Sequence, residues 1–95
     1  GREDIEYLNR EKLAEKFIDI LKEPDPGLQE YALRGLGNLR YAERQDFVEE
    51  KIQSPNIRVK VAAIKSLGMM GREDALDILE NLLMGNERAI KMAII

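Results

Sequence analysis

The sequence predicts an all-α fold, a solenoid of antiparallel helix pairs with about six helices in a single domain, residues 1–95. Its composition favours helices, because Leu, Glu, Lys, Arg and Ala are abundant, Thr is absent and only three Tyr and two Phe are aromatic. One pattern also begins three times at one spacing, at Leu28, Val59 and Ile90. A period of about 20–50 residues is typical of proteins in which each repeat packs on its neighbours.

Apolar residues at helical spacing, separated by Pro- and Gly-containing turns, give the bounds of the elements. The helices are predicted at residues 10–23 (with Asn9 as its cap), 28–39, 43–53, 57–70, 74–84 and 87–95. The connections are short, so consecutive helices are expected to be antiparallel neighbours. The repeat period predicts two whole repeats, 24–54 and 55–85, between the second helix of a partial repeat at 10–23 and the first helix of a truncated one at 86–95.

The same spacing predicts which side chains face the core. The expected inward residues are Leu13, Ala14, Phe17, Ile18 and Leu21, then Leu28, Tyr31, Ala32, Gly35, Leu36 and Leu39, then Phe47, Val48 and Ile52, then Val59, Ala62, Ala63, Leu67 and Met70, then Ala75, Leu76, Leu79, Leu82 and Leu83. Ala32 and Gly35 are small enough to let a neighbouring helix approach closely. Gly37 together with the segment Arg40-Tyr41-Ala42 is predicted to end the helix at 28–39, and Gly68 and Gly71 are predicted to end the helix at 57–70.

The helix predicted at 57–70 carries the pattern Val59-Lys60-x-Ala62-Ala63-x-x-x-Leu67-Gly68-x-x-Gly71. This pattern resembles the first helix of a HEAT-like repeat, in the short variety named after phycobilisome lyases. The pattern of that variety is an apolar residue, Arg, two spacers, Ala and then Leu-Gly. The resemblance covers about residues 24–95, and it implies a solenoid fold.

The first repeat departs from the family pattern, since Gln29 stands where Lys60 and Lys91 keep a basic residue. The aspartate that is usual in the turn before the helix is Asp25 in the first repeat and Asn56 in the second. Such repeats occur in scaffolds, lyase subunits and enzymes, so the resemblance implies a fold and leaves the function open.

The chain lacks the residues that most catalytic and metal sites use. Without His and Cys it has no usual general base near neutral pH, no imidazole or thiolate metal ligand and no Cys or Ser–His nucleophile. The absence of His also excludes the di-iron hydroxylase activity that the resemblance would otherwise allow. Carboxylate pairs such as Glu49 with Glu50 are predicted on solvated faces, whereas acid–base catalysis needs a partly buried carboxylate. We therefore predict no enzyme activity, no cofactor and no metal.

Superposing the second helices of the repeats places polar side chains in columns. The candidate partner-binding acidic face consists of Glu15, Asp19, Asp46, Glu49, Glu50, Asp77, Glu80 and Asn81. The resemblance implies that these helices line the concave surface, with Arg34, Arg58 and Lys65 on the outer side. Two interpretations remain open: solvated faces of amphipathic helices, or an acidic groove that binds a basic or amphipathic segment of another protein.

The predicted function is a protein–protein interaction scaffold or adaptor that binds a partner segment on the solenoid surface. The alternative is a non-catalytic regulatory or chaperone-like subunit of an enzyme complex, of the bilin-lyase kind. Nucleic-acid binding ranks lower, because the basic set is small, the net charge is −3 and Trp is absent. That basic set is Arg58, Lys60, Lys65 and Lys91.

The chain begins at Gly1 rather than Met and ends in the apolar stretch 89–95. Because a solenoid needs terminal repeats with a polar outer face, we predict either a longer repeat array or self-association through this end. No apolar run approaches the roughly 18 residues of a membrane span, so no membrane partner is predicted. With no Cys and no signal-peptide pattern, the predicted localisation is cytoplasmic.

Overall fold

The computed structural model describes residues 2–81 and 84, and describes side chains from residue 9 onward. Its elements are α1 (Arg2–Leu21), α2 (Pro26–Leu39), a 3₁₀ turn (Ala42–Arg44), α3 (Gln45–Glu50), a second 3₁₀ turn (Lys51–Gln53) and α4 (Ile57–Met70). Residues 73–81 form a further helix, α5. No strand occurs in the part of the chain so described, and the all-α prediction is confirmed. The sixth predicted helix, 87–95, lies outside that part.

The helices form two layers. The first helices of the two predicted repeats, α2 and α4, pack on each other along their length. The second helices lie on the other side, where α1 packs on α2, and α3 with its following 3₁₀ turn packs on α4. The molecule extends 60 × 30 × 15 Å, as stacked helix pairs do. The repeat bounds themselves, 24–54 and 55–85, stay predictions.

The apolar core lies between the two layers. Its largest fully buried apolar side chains are Ile18, Leu21, Leu33, Leu36, Val48, Val59 and Leu67. All five residues of α4 that were predicted to face inward are buried.

Four residues predicted to face inward are instead exposed: Leu13, Leu28, Tyr31 and Leu76. In α2 the buried set is Ala32, Leu33, Leu36 and Gly37, so the core-facing side is rotated away from the predicted stripe. The rotation follows from packing, because α4 contacts α2 on the side of Leu33 and Gly37. Leu82 and Leu83 lie outside the described residues.

The start of α1 was predicted wrongly. The helix begins at Arg2 and passes through Asn9, which therefore lies in its interior and caps nothing. Residues 2–8 contain no Gly or Pro, so nothing in the sequence interrupts the helix there.

Two of the three glycines predicted to end helices do not do so. Gly37 lies inside α2, which ends at Leu39 with Arg40 in the left-handed region at φ 51°. Gly68 lies inside α4, whose end at Gly71, with φ 66°, agrees with the prediction. The glycine inside α2 serves packing, which the sequence pattern alone does not distinguish from termination.

Small residues set the distances between helices. The ring of Phe17 lies directly against Gly35, where a Cβ would collide with it, as the predicted close approach requires. At Gly37 a Cβ would lie 2.9 Å from Ser66 Oγ and 3.0 Å from Ser66 Cα. The Ser66 hydroxyl also donates a hydrogen bond to the Leu33 carbonyl, so α2 and α4 are in close contact there.

The first helices of the two predicted repeats, α2 and α4, begin in the same way. Asp25 Oδ1 accepts a hydrogen bond from the N–H of Leu28 (3.2 Å), and Asn56 Oδ1 accepts one from the N–H of Val59 (3.2 Å). Each cap satisfies N–H groups that the helix itself leaves without a partner. The turn position occupied by Asp25 in the first predicted repeat and by Asn56 in the second is therefore a capping position in both.

Replacing Asn56 with Ala is expected to lower the free energy of unfolding by about 0.5–2 kcal/mol, since the N–H groups at the start of α4 lose their acceptor. Asn56→Asp keeps an acceptor and adds a negative charge at the helix N-terminus, so it is expected to preserve stability. Urea unfolding followed by circular dichroism measures both variants. Equal losses for Ala and Asp would contradict the capping role.

Candidate partner-binding surfaces

The eight residues of the predicted acidic face lie on the second helices of the repeats. They are Glu15 and Asp19 on α1, Asp46, Glu49 and Glu50 on α3, and Asp77, Glu80 and Asn81 on α5. We call this set the second-helix surface. All are exposed except Glu49, which is half-buried and accepts a hydrogen bond from Gln45 Nε2 at 2.9 Å.

Basic side chains neutralise the α1 part of the second-helix surface. Arg44 Nη1 lies 3.5 Å from Glu15 Oε1, and Lys22 Nζ lies 3.9 Å from Asp19 Oδ1. Both cations also lie over the ring of Phe47, at 4.6 Å for Arg44 and 5.7 Å for Lys22. The Arg44–Glu15 pair and the two contacts with Phe47 join α1 to the segment that follows α2, whereas the Lys22–Asp19 pair is local to the end of α1.

Five carboxylates remain, of which Glu49 is half-buried and bonded to Gln45. We call the four exposed ones, Asp46, Glu50, Asp77 and Glu80, the acidic quartet. Within residues 9–81 none of them lies within ion-pair distance of a basic side chain. Asp46 and Glu50 are four residues apart on α3 and therefore share a face. Asp77 matches Asp46 one repeat period later and lies on α5.

A polar cluster between the predicted repeats stabilises the turn after α2. Arg10 Nη2 donates a hydrogen bond to the Leu39 carbonyl (2.7 Å), and its guanidinium lies 5.1 Å from the centre of the Tyr41 ring. The Tyr41 hydroxyl donates a hydrogen bond to Glu11 Oε1 (3.4 Å). Burial raises the pKa of Tyr41, and the nearby carboxylates of Glu11 and Glu43 raise it further. The neutral phenol is therefore a hydrogen-bond donor to Glu11 in this cluster.

A groove of about 420 Å³ lies between the two first helices. One side is lined by a row of α2 residues, Glu30, Arg34 and Asn38. The other side is lined by Arg58 and by a row of α4 residues, Ile57, Val61, Lys65 and Met69. The floor is formed by Ala62 and Ser66. We call it the α2–α4 groove. The family resemblance implied that Arg34, Arg58 and Lys65 lie on the outer side, and the apolar residues of the groove were not predicted as a site. The apolar residues Ile57, Val61 and Met69 lie on a row of positions four apart along α4, on a different side from its buried stripe. That spacing is the sequence signal that could have identified them.

Among the described side chains, no group of three His, Cys, Asp or Glu is placed to hold a metal ion. No helix in that part of the chain has the length and apolar character needed to cross a membrane. The second-helix surface and the α2–α4 groove differ in charge, and both are exposed to solvent.

The chain matches a known protein family. A family model described as HEAT repeats matches residues 14–95, from within α1 through α5 and beyond. No curated protein and no solved structure matches the chain. The family match does not distinguish the short phycobilisome-lyase variety, which stays a prediction.

Proposed function

Because the chain belongs to the HEAT-repeat family, we propose that it is a protein-interaction module whose second-helix surface binds a basic or amphipathic segment of another protein. HEAT repeats commonly serve as protein-interaction scaffolds and are generally non-catalytic. Stacked helices form their surface before a partner arrives, so little further ordering is needed on binding. The folded module therefore already presents an extended surface, to which an extended ligand can bind.

The observation that carries this proposal is the exposure of the acidic quartet on two successive second helices. Carboxylates at repeat spacing repel one another weakly, and a basic segment laid across them removes that repulsion. Exposed charge pairs contribute modestly, so we expect affinity to come from several contacts and to fall as salt increases. Nothing in the described residues favours the enzyme-complex or nucleic-acid alternatives over this one.

Reversing two charges of the acidic quartet, with Asp46→Lys and Asp77→Lys, is expected to weaken binding of a basic peptide about tenfold or more. The probe is a fluorescein-labelled amphipathic peptide of about 15 residues, with Leu on one face and Lys beside it. Fluorescence anisotropy at low and physiological salt measures the affinity.

The matched control reverses two exposed carboxylates outside the second-helix surface, Glu23 and Glu73, to Lys. This pair changes the net charge by the same amount, so it is expected to leave most of the affinity intact. If both pairs weaken binding equally, net charge alone explains it. If the peptide still binds after Asp46→Lys with Asp77→Lys, the second-helix surface is not its binding site.

A further inference from the structure

The α2–α4 groove has the form of a slot between two helical ridges. Residues four apart form a ridge along a helix, and here one such ridge on each helix borders the groove. Its floor, Ala62 and Ser66, is buried and made of small side chains, which keeps the slot open. From Ile57 to Met69 it runs about 18 Å along α4, or roughly three helical turns. A third helix would fit there by placing its own ridge between the two.

Apolar side chains line this slot without being covered. Ile57 is 69% exposed, Met69 42% and Val61 40%, although all three lie along one row of α4. Single exposed apolar residues are ordinary on a protein surface, whereas a row beside a concave floor is typical of a contact site. A partner with an apolar stripe along one side would therefore cover these three side chains.

Positive charge surrounds the apolar row. Arg34, Arg58 and Lys65 line the groove together with a single carboxylate, that of Glu30. Arg34 Nη2 binds Glu30 Oε1 at 2.8 Å, while no carboxylate in residues 9–81 lies within ion-pair distance of Arg58 or Lys65. The groove therefore carries a net positive charge in a chain whose net charge is −3.

We propose that the α2–α4 groove binds an acidic amphipathic helix of a partner protein. Its apolar stripe packs on Ile57, Val61 and Met69, and its carboxylates pair with Arg58 and Lys65. Charge complementarity selects the acidic helix, because a basic one would bring like charges together in a partly desolvated slot. This site is separate from the second-helix surface, since it lies in the other layer and attracts the opposite charge.

The test uses two labelled peptides of about 15 residues that share Leu positions and differ only in carrying Glu or Lys beside them. The acidic peptide is expected to bind at least about tenfold more tightly than the basic one to a chain carrying Asp46→Lys and Asp77→Lys, in which the second-helix surface is disabled. Arg58→Glu with Lys65→Glu is expected to weaken binding of the acidic peptide by about tenfold or more. Ile57→Ser with Met69→Ser is expected to weaken it to a similar extent without changing any charge.

The control pair Lys12→Glu and Lys60→Glu changes the net charge equally at exposed positions that do not line the groove. It is expected to change the affinity less than about twofold, and a loss equal to that of the groove pair would overturn the proposal. Circular dichroism checks that each variant keeps its helices. Failure of the acidic peptide to bind at about 1 mM would also overturn the proposal.

Two other occupants give distinct results. If the chain alone sediments as a dimer that Arg58→Glu with Lys65→Glu dissociates, the groove belongs to a second copy and the proposal is wrong. If phosphatidylserine vesicles bind the chain through the same two residues while the acidic peptide does not, the ligand is an anionic lipid surface and the proposal is again wrong.

Discussion

Replacing Leu67 with Ala is expected to lower the free energy of unfolding by about 2–5 kcal/mol. The Leu67 side chain is completely buried in α4, at the centre of the core between the two layers. Truncation removes its apolar contacts and leaves a cavity, because α4 is held by neighbours in both layers and cannot collapse to fill it. For a protein of this size, such a loss is a large fraction of the total stability.

Urea unfolding followed by circular dichroism measures the loss, and Leu13→Ala provides the control. Leu13 was predicted to face inward but is 43% exposed, so the same truncation is expected to cost no more than about 0.5 kcal/mol. Leu67→Met preserves most of the volume and should cost less than about 1.5 kcal/mol. Comparable losses at Leu13 and Leu67 would contradict the assigned core.

The contrast between these two leucines indicates what the sequence can predict. Helical spacing identifies a buried face, and in α4 every predicted inward residue is buried. At the edge of the stripe the same spacing fails, as at Leu13 in α1 and Leu28 in α2. The period states that a face is apolar, whereas neighbouring helices determine where that face ends.

The candidate sites, like the core, could be predicted only in part from the sequence. The repeat register predicted the acidic columns, and the structure leaves those residues exposed or half-exposed on the second helices. It did not predict that Arg44 and Lys22 would neutralise the α1 end, because neither residue recurs at the repeat spacing. The α2–α4 groove could not be predicted from either helix alone. A groove depends on the distance between two helices, which the residues at their contact set.

The two proposed surfaces differ in charge and in layer. A basic segment on the second helices and an acidic helix on the first helices would leave both sites available at once, because no residue belongs to both sets. A module of this kind could bring two oppositely charged partners together. The peptide experiments separate the sites, since each charge reversal is expected to affect only one probe.

Replacing Gly37 with Ala is expected to lower the free energy of unfolding by about 1–3 kcal/mol. The new Cβ would lie 2.9 Å from Ser66 Oγ and 3.0 Å from Ser66 Cα, so α2 and α4 must move apart. That movement also strains the hydrogen bond from the buried Ser66 hydroxyl to the Leu33 carbonyl. A buried donor left without its acceptor costs about 1–3 kcal/mol by itself, which makes the upper part of the range attainable.

Gly68 provides the matched control, because it stands one repeat after Gly37 and also lies inside a helix. Among the described residues the nearest atom to its Cβ position is Leu79 Cδ1, at 3.7 Å, which is ordinary contact. Gly68→Ala is therefore expected to raise the free energy of unfolding by about 0.5–1 kcal/mol, the usual advantage of Ala over Gly in a helix.

A double-mutant cycle identifies the cause of the loss at Gly37. Ser66→Gly removes the Cβ and Oγ that the new methyl group would meet, so the double variant should be more stable than the sum of the two single losses predicts. Additive losses would mean that Gly37 does not set the distance between α2 and α4. Because that contact also lies beneath the groove, Gly37→Ala should alter the affinity for the acidic peptide while Gly68→Ala leaves it unchanged. The same small residue would then determine both the stability of the stack and the width of the site that the stack creates.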